Sequence, residues 1–155
     1  MKKIAFTYGD FDCLNMAHYH LVREMRKHIL PDNEVIAVLP DDYASFVNCK
    51  CFPVQSIIHR QNNLSYLIKN VIVSYAADPS IIFQTLIDDA HKDGDRLIFV
   101  GYDDNKEFPG HEILRKANVP LRFIKKPKSY EISTEKKAGA NRTRQSKAFL
   151  QNLSS

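Results

Sequence analysis

The sequence predicts an α/β protein, a Rossmann-like, doubly wound, five-stranded parallel sheet with helices on both faces. Two observations carry this. Short apolar runs alternate along the chain with stretches of helical spacing, and a parallel sheet needs that alternation because each crossover must carry the chain back over the sheet. The runs are also apolar on successive residues, as in Glu34 to Leu39 (Glu-Val-Ile-Ala-Val-Leu), which marks strands covered on both faces.

Lys2 to Tyr8 reads as the first strand, broken at Gly9. From Met16 to Leu30 the apolar residues Leu21, Val22, Met25 and Ile29 share one helical face with His18, and Pro31 stops the helix. Glu34 to Leu39 is the second strand, closed by Pro40 and Asp41-Asp42, and Tyr43 to Val54 reads mostly as loop. Ser56 to Lys69 is roughly helical through Ile57, Ile58, Leu64, Leu67 and Ile68, and Val71 to Tyr75 is a short third strand. Asp78-Pro79 opens a helix with proline in its first turn, Ile82, Phe83, Leu86 and Ile87 form its face, and Asp93-Gly94 ends it. Arg96 to Val100 is the fourth strand, Pro109 to Asn118 a short helix and Pro120 to Ile124 the fifth strand. Residues 1–132 are expected to form the α/β domain, and 133–155 a basic helical tail completing the same domain, with Phe149 and Leu150 packing back.

Of the 155 residues, 44% are hydrophobic and 26% charged, which suits one globular domain with a real core. No apolar run approaches the roughly 20 residues of a membrane helix. The apolar stretch after Met1-Lys2-Lys3 is too short for a secretory leader. A cytoplasmic protein with no membrane partner is the expectation. Cys13, Cys49 and Cys51 are then expected as reduced thiols, with no ligand set for zinc around them. From Arg122 onward there are nine basic residues against Glu131 and Glu135, a charge of +7, while the rest carries 13 basic against 16 acidic, or −3, for the net +4. An anionic partner is expected to meet the basic end.

Ligands of such sheets sit beyond the carboxyl ends of the strands. The segments leaving the first, fourth and fifth strands are Gly9 to His18, Gly101 to Asn105, and Lys125 to Thr134, and all three fall on that edge. A strand, a glycine turn and a helix start also make an anion site, since the first N–H groups of a helix lack partners. Most such turns bind nothing.

Gly9-Asp10-Phe11-Asp12-Cys13-Leu14-Asn15-Met16-Ala17-His18 resembles the Gly-x-Phe-Asp-x-x-His-x-Gly-His signature of the cytidylyltransferase-like nucleotidyltransferases, most closely the glycerol-3-phosphate cytidylyltransferases. The resemblance continues in order through Asn48 to Lys50, His59-Arg60, Gly101-Tyr102-Asp103-Asp104, and Lys128 to Thr134 around Glu131-Ile132-Ser133-Thr134. It implies the nucleotidyltransferase type of the fold. It also implies transfer of a nucleoside monophosphate, CMP foremost, from its triphosphate to a small phosphorylated alcohol, with release of pyrophosphate. Magnesium would accompany the triphosphate without direct protein ligands, CTP stands ahead of ATP, and a homodimer is the assembly the resemblance suggests.

By the same resemblance His18, Lys50 and Asn15 would be catalytic. Tyr8, Gly9, Asp10, Phe11, Ala17, His18, Gly101, Asp103, Lys128, Ile132, Ser133 and Thr134 would bind the nucleotide. Asp12, Lys50 and Arg60 would hold phosphate or acceptor, Arg60 alternatively bracing the site. Asn15 stands where the signature has its first histidine and Ala17 where it has glycine, while Tyr102 replaces an acid and Glu131 and Glu135 bring charge beside the second phosphate clamp. Those departures also fit a nucleotide-binding pseudoenzyme or scaffold of the same fold. A nucleic-acid-binding module built on the basic tail is a further alternative, weakened by having only Phe123, Tyr130 and Phe149 for stacking. Taken singly, His18 reads as a core histidine, His20 as structural, Lys50 as a solvated loop charge, Ser133-Thr134 as a helix cap and Tyr102 as packing.

Overall fold

The computed structural model describes residues 1–27 and 34–127. Its elements run β1 (Lys3–Tyr8), α1 (Met16–Lys27), β2 (Glu34–Pro40), α2 (Asp42–Cys49), α3 (Ile57–Leu64), β3 (Asn70–Ser74), α4 (Ser80–Asp93), β4 (Arg96–Tyr102), α5 (His111–Lys116) and β5 (Leu121–Ile124). The strands form one sheet in the order β3-β2-β1-β4-β5, every neighbouring pair parallel. The expected five-stranded, doubly wound α/β fold is therefore present. The chain leaves β1 toward β2 and returns to its other side with β4, so the strand order reverses at the β1/β4 junction, where such sheets open a crevice.

Successive side chains of a strand face opposite ways, and β1 shows both faces covered. Ile4 and Phe6 enter a core with Ile36, Val38, Phe83, Leu97, Phe99, Phe108 and Leu114, which is the α4 and α5 side. Ala5 enters a second core with Leu21, Val22, Met25, Ala37, Leu39, Leu64 and Val100, which is the α1 and α3 side. The buried face of α1 is Ala17, Leu21, Val22 and Met25, which contains Leu21, Val22 and Met25 of the expected stripe; Ile29 lies outside the described residues. Helix α4 ends as expected, with Gly94 in the left-handed region at φ 68° and its N–H bonded to the Ala90 and His91 carbonyls.

Two expectations are corrected. The stretch read as loop from Tyr43 begins with a helix: Asp41 caps α2 by accepting from the Ala44 N–H at 2.7 Å. Asp41-Asp42 is thus a helix start as well as a strand end, and eight residues are too few for the spacing to declare itself. The helix expected from Ser56 to Lys69 stops at Leu64, although Ile68 beyond it is fully buried. Among the described residues no helix is long and apolar enough to cross a membrane. The expected tail, the 132/133 boundary and the helix end at Pro31 lie outside the described residues.

Candidate functional site

A cavity of about 320 Å³ opens at the β1/β4 junction. Its floor is the exit of β1, its far wall the exit of β4, and one side is the first turn of α1, through residues 7–12, His18, Leu21, Phe99, 101–102, 104–105, Phe108 and Lys126. Of the expected nucleotide residues the structure brings Tyr8, Gly9, Asp10, Phe11, His18 and Gly101 to this lining.

Asn15 and His18 close the start of α1 reciprocally. The Asn15 side-chain oxygen accepts from the Ala17 N–H at 2.9 Å and the His18 N–H at 3.4 Å, and the Asn15 N–H donates to His18 Nδ1 at 3.1 Å. This is a capping box with histidine in place of the usual Glu or Gln. Because Nδ1 accepts, the ring proton sits on Nε2. Burial, reinforced by the positive charge of Lys126 and opposed by Asp12, lowers the His18 pKa from 6.5 to about 4. At neutral pH His18 is therefore an uncharged imidazole facing the cavity with an Nε2–H to donate.

Asn15 itself is 8% exposed and absent from the lining, and its amide nitrogen has no partner among the described residues. Its oxygen is committed to holding the helix start and, through it, the imidazole. Ala17, 3% exposed, is likewise behind the wall. Its carbonyl accepts from the Tyr102 hydroxyl, which ties the exit of β4 to α1.

Arg60 takes the second of its two expected positions, the brace. Its side chain is fully buried. The guanidinium donates to the carbonyls of Gln55 at 3.1 Å, Asp10 at 3.0 Å and Pro40 at 3.0 Å, and to Asp42 Oδ1 at 2.8 Å. It braces the loop after β1 from behind and has no surface left for a phosphate. Asp12 has a related role: its carboxylate accepts from the Val54 N–H at 2.8 Å and the Gln55 N–H at 2.9 Å, joining the β1–α1 loop to the segment before α3. It also lines the cavity. Lys50 is the exposed left-handed cap of α2 at φ 60° and does not reach the lining. Asp103 donates its N–H to the Ile124 carbonyl at 2.9 Å, while Asp104 and Asn105 face the cavity. Lys128, Ile132, Ser133 and Thr134 lie outside the described residues.

Sequence reasoning singled out neither Lys126 nor the aromatic wall. Phe99 stacks on Phe108 with centroids 4.2 Å apart and meets Phe6 edge-on at 5.3 Å. This wall makes Gly101 obligatory, because a Cβ there would come within 2.8 Å of the Phe99 ring. The ring is held by its neighbours and cannot yield cheaply. Gly101→Ala is expected to destabilise the fold by about 1–3 kcal/mol through overpacking, read as a lower melting temperature together with weakened ligand binding.

Tyr8 keeps its phenolic proton. Burial first, then the nearby Asp10 carboxylate, pushes its pKa above the ordinary value, and its oxygen accepts from Asn48 Nδ2 at 3.1 Å. Asp10 in turn accepts from the Ser45 hydroxyl at 2.5 Å. Among the described residues no three His, Cys, Asp or Glu side chains are grouped to hold a metal ion.

No family model matches the chain, and no curated protein matches it. Solved structures do. A lipopolysaccharide core biosynthesis protein from Thermoplasma volcanium superposes with a TM-score of 0.58 at 20% identity, over 82% of this chain and 99% of the other. A Vibrio parahaemolyticus protein described as a nicotinate-nucleotide adenylyltransferase gives 0.49 at 18% identity, over 90% and 86%. The first of these likenesses establishes a shared fold.

Proposed function

We propose that this protein is a nucleotidyltransferase, and that the cavity at the β1/β4 junction holds the triphosphate of its nucleotide. The observation that carries the reading is the placement of His18. The signature-like segment borders the cavity through residues 9–12 and His18, and at its end stands an imidazole fixed by Asn15, neutral at physiological pH, with Nε2–H available. The reaction that fits is in-line attack of an acceptor phosphate oxygen on the α-phosphorus of the nucleotide. One P–O bond forms, the bond to the β-phosphate oxygen breaks, and pyrophosphate leaves with the electron pair. The attacking oxygen is already an anion, so no general base is needed. The site's task is to orient the two phosphates and to donate hydrogen bonds to the charge that develops. His18 is suited to donate without giving up its proton. Magnesium, on this reading, arrives as the counter-ion of the triphosphate. CTP is the expected nucleotide and a small phosphorylated alcohol the expected acceptor, both from the resemblance described above.

One observation favours the pseudoenzyme reading. Among the described residues the lining holds Asp10, Asp12 and Asp104 against one cation, Lys126, a poor setting for a polyanion. The deciding experiment is pyrophosphate release from each of the four common nucleoside triphosphates, with magnesium, against a panel of sugar and polyol phosphates. Acceptor-dependent release establishes the enzyme. Nucleotide binding without release under any pairing moves the conclusion to the pseudoenzyme.

A further inference from the structure

We propose that Lys126 is the cavity's own phosphate ligand, resting on the Asp104 carboxylate when the site is empty and exchanging it for a phosphate oxygen when the ligand enters. The inference rests on the reading of the cavity as a phosphate site and adds the residue that receives the charge. Lys126 follows β5, on the same carboxyl edge as the exits of β1 and β4, and among the described residues it is the only Lys or Arg in the lining. Its ammonium lies 3.9 Å from Asp104 Oδ2 and 5.6 Å from the centre of the Tyr102 ring. The ring and the carboxylate thus hold it over the cavity mouth.

The other carboxylates of the lining are engaged elsewhere: Asp10 with the Ser45 hydroxyl, and Asp12 with the Val54 and Gln55 N–H groups. Asp104 differs, since its side chain is 55% exposed and its contact with Lys126 is long. An exposed ion pair of this kind is weak and easily exchanged, whereas a charge-assisted bond to a phosphate oxygen is among the stronger polar contacts. The influence of Lys126 on the His18 pKa agrees with the two side chains facing the same space. Together they offer one full positive charge and one neutral donor.

The probes are inorganic tripolyphosphate and magnesium-CTP, titrated calorimetrically into wild type, Lys126→Gln, Lys126→Arg and Asp104→Asn, each first checked for native circular dichroism. Lys126→Gln is expected to weaken both probes about tenfold or more, and Lys126→Arg to restore most of the affinity. Asp104→Asn is expected to bind a few-fold more tightly, since it removes the competitor, an effect opposite in sign to any structural damage. Unchanged affinity in Lys126→Gln, weaker binding in Asp104→Asn, or no binding of either probe by wild type at millimolar concentration overturns the proposal. Binding that depends on Lys126, without pyrophosphate release by wild type, leaves it standing and removes the enzyme reading instead.

Discussion

Arg60→Ala is expected to cost about 3–5 kcal/mol of unfolding free energy, because each buried acceptor left without its donor costs roughly 1–3 kcal/mol. The guanidinium serves the carbonyls of Gln55, Asp10 and Pro40 and the carboxylate of Asp42. These groups belong to the loop before α3, the exit of β1, the end of β2 and the first turn of α2. One side chain therefore fastens four segments behind the cavity floor. Domains of this size have only about 5–15 kcal/mol in total, so the loss is a large share. Urea denaturation reads it as a lower midpoint at unchanged slope. Lysine should recover less than half, since a single ammonium cannot reach acceptors fanned around a planar fork. A loss under about 1 kcal/mol would mean that water replaces the guanidinium, and the brace would then be dispensable.

The second large effect, on the proposed nucleotidyltransferase reading, is on activity. His18→Ala should lower kcat/KM by about 10²–10³, the usual consequence of deleting one donor to transition-state charge. It should also weaken the start of α1 by about 1 kcal/mol, because the Asn15 N–H loses its acceptor. His18→Gln separates the two. Its carbonyl can take the Asn15 N–H and restore the cap, while its amide offers only a displaced donor, so stability should return ahead of rate. Acid carries a second signature. With the folded-state pKa lowered from 6.5 to about 4, the unfolded chain binds a proton between those values while the folded chain does not. The His18 contribution to stability is therefore complete above pH 6.5 and declines as the pH falls toward 4. Wild type should lose stability over that window by more than His18→Gln does. Equal pH dependence in the two proteins would contradict a buried neutral imidazole.

How much of this was legible in the sequence follows from how local each signal is. β1, the break at Gly9 and the buried face of α1 were readable because period and punctuation act over a few residues. The edge on which the cavity opens followed from the fold class alone. Arg60 was half legible. The resemblance left it either holding phosphate or bracing the site, and only the packing of α3 beneath the ends of β1 and β2 brings backbone carbonyls around it. Asn15 was placed correctly in the turn, but its role depends on which atoms its oxygen meets, which spacing does not encode. Lys126 lies in the segment after β5 that the fold class sends to the ligand edge. What singled it out was the neighbouring position of β4 and β5 in the sheet, which sets Asp104 and Tyr102 beside it. Asp103 and Asp104 differ by one position, and the β4–β5 pairing decides which of them faces the cavity.

The most direct test of the central claim is a nitrogen–proton correlation spectrum of the labelled protein titrated with magnesium-CTP. The account predicts that the amide shifts concentrate at residues 7–12, at His18, at 101–105 and at Lys126, with the α4–α5 face silent. Saturable shifts centred anywhere else, or none at millimolar nucleotide, would contradict it.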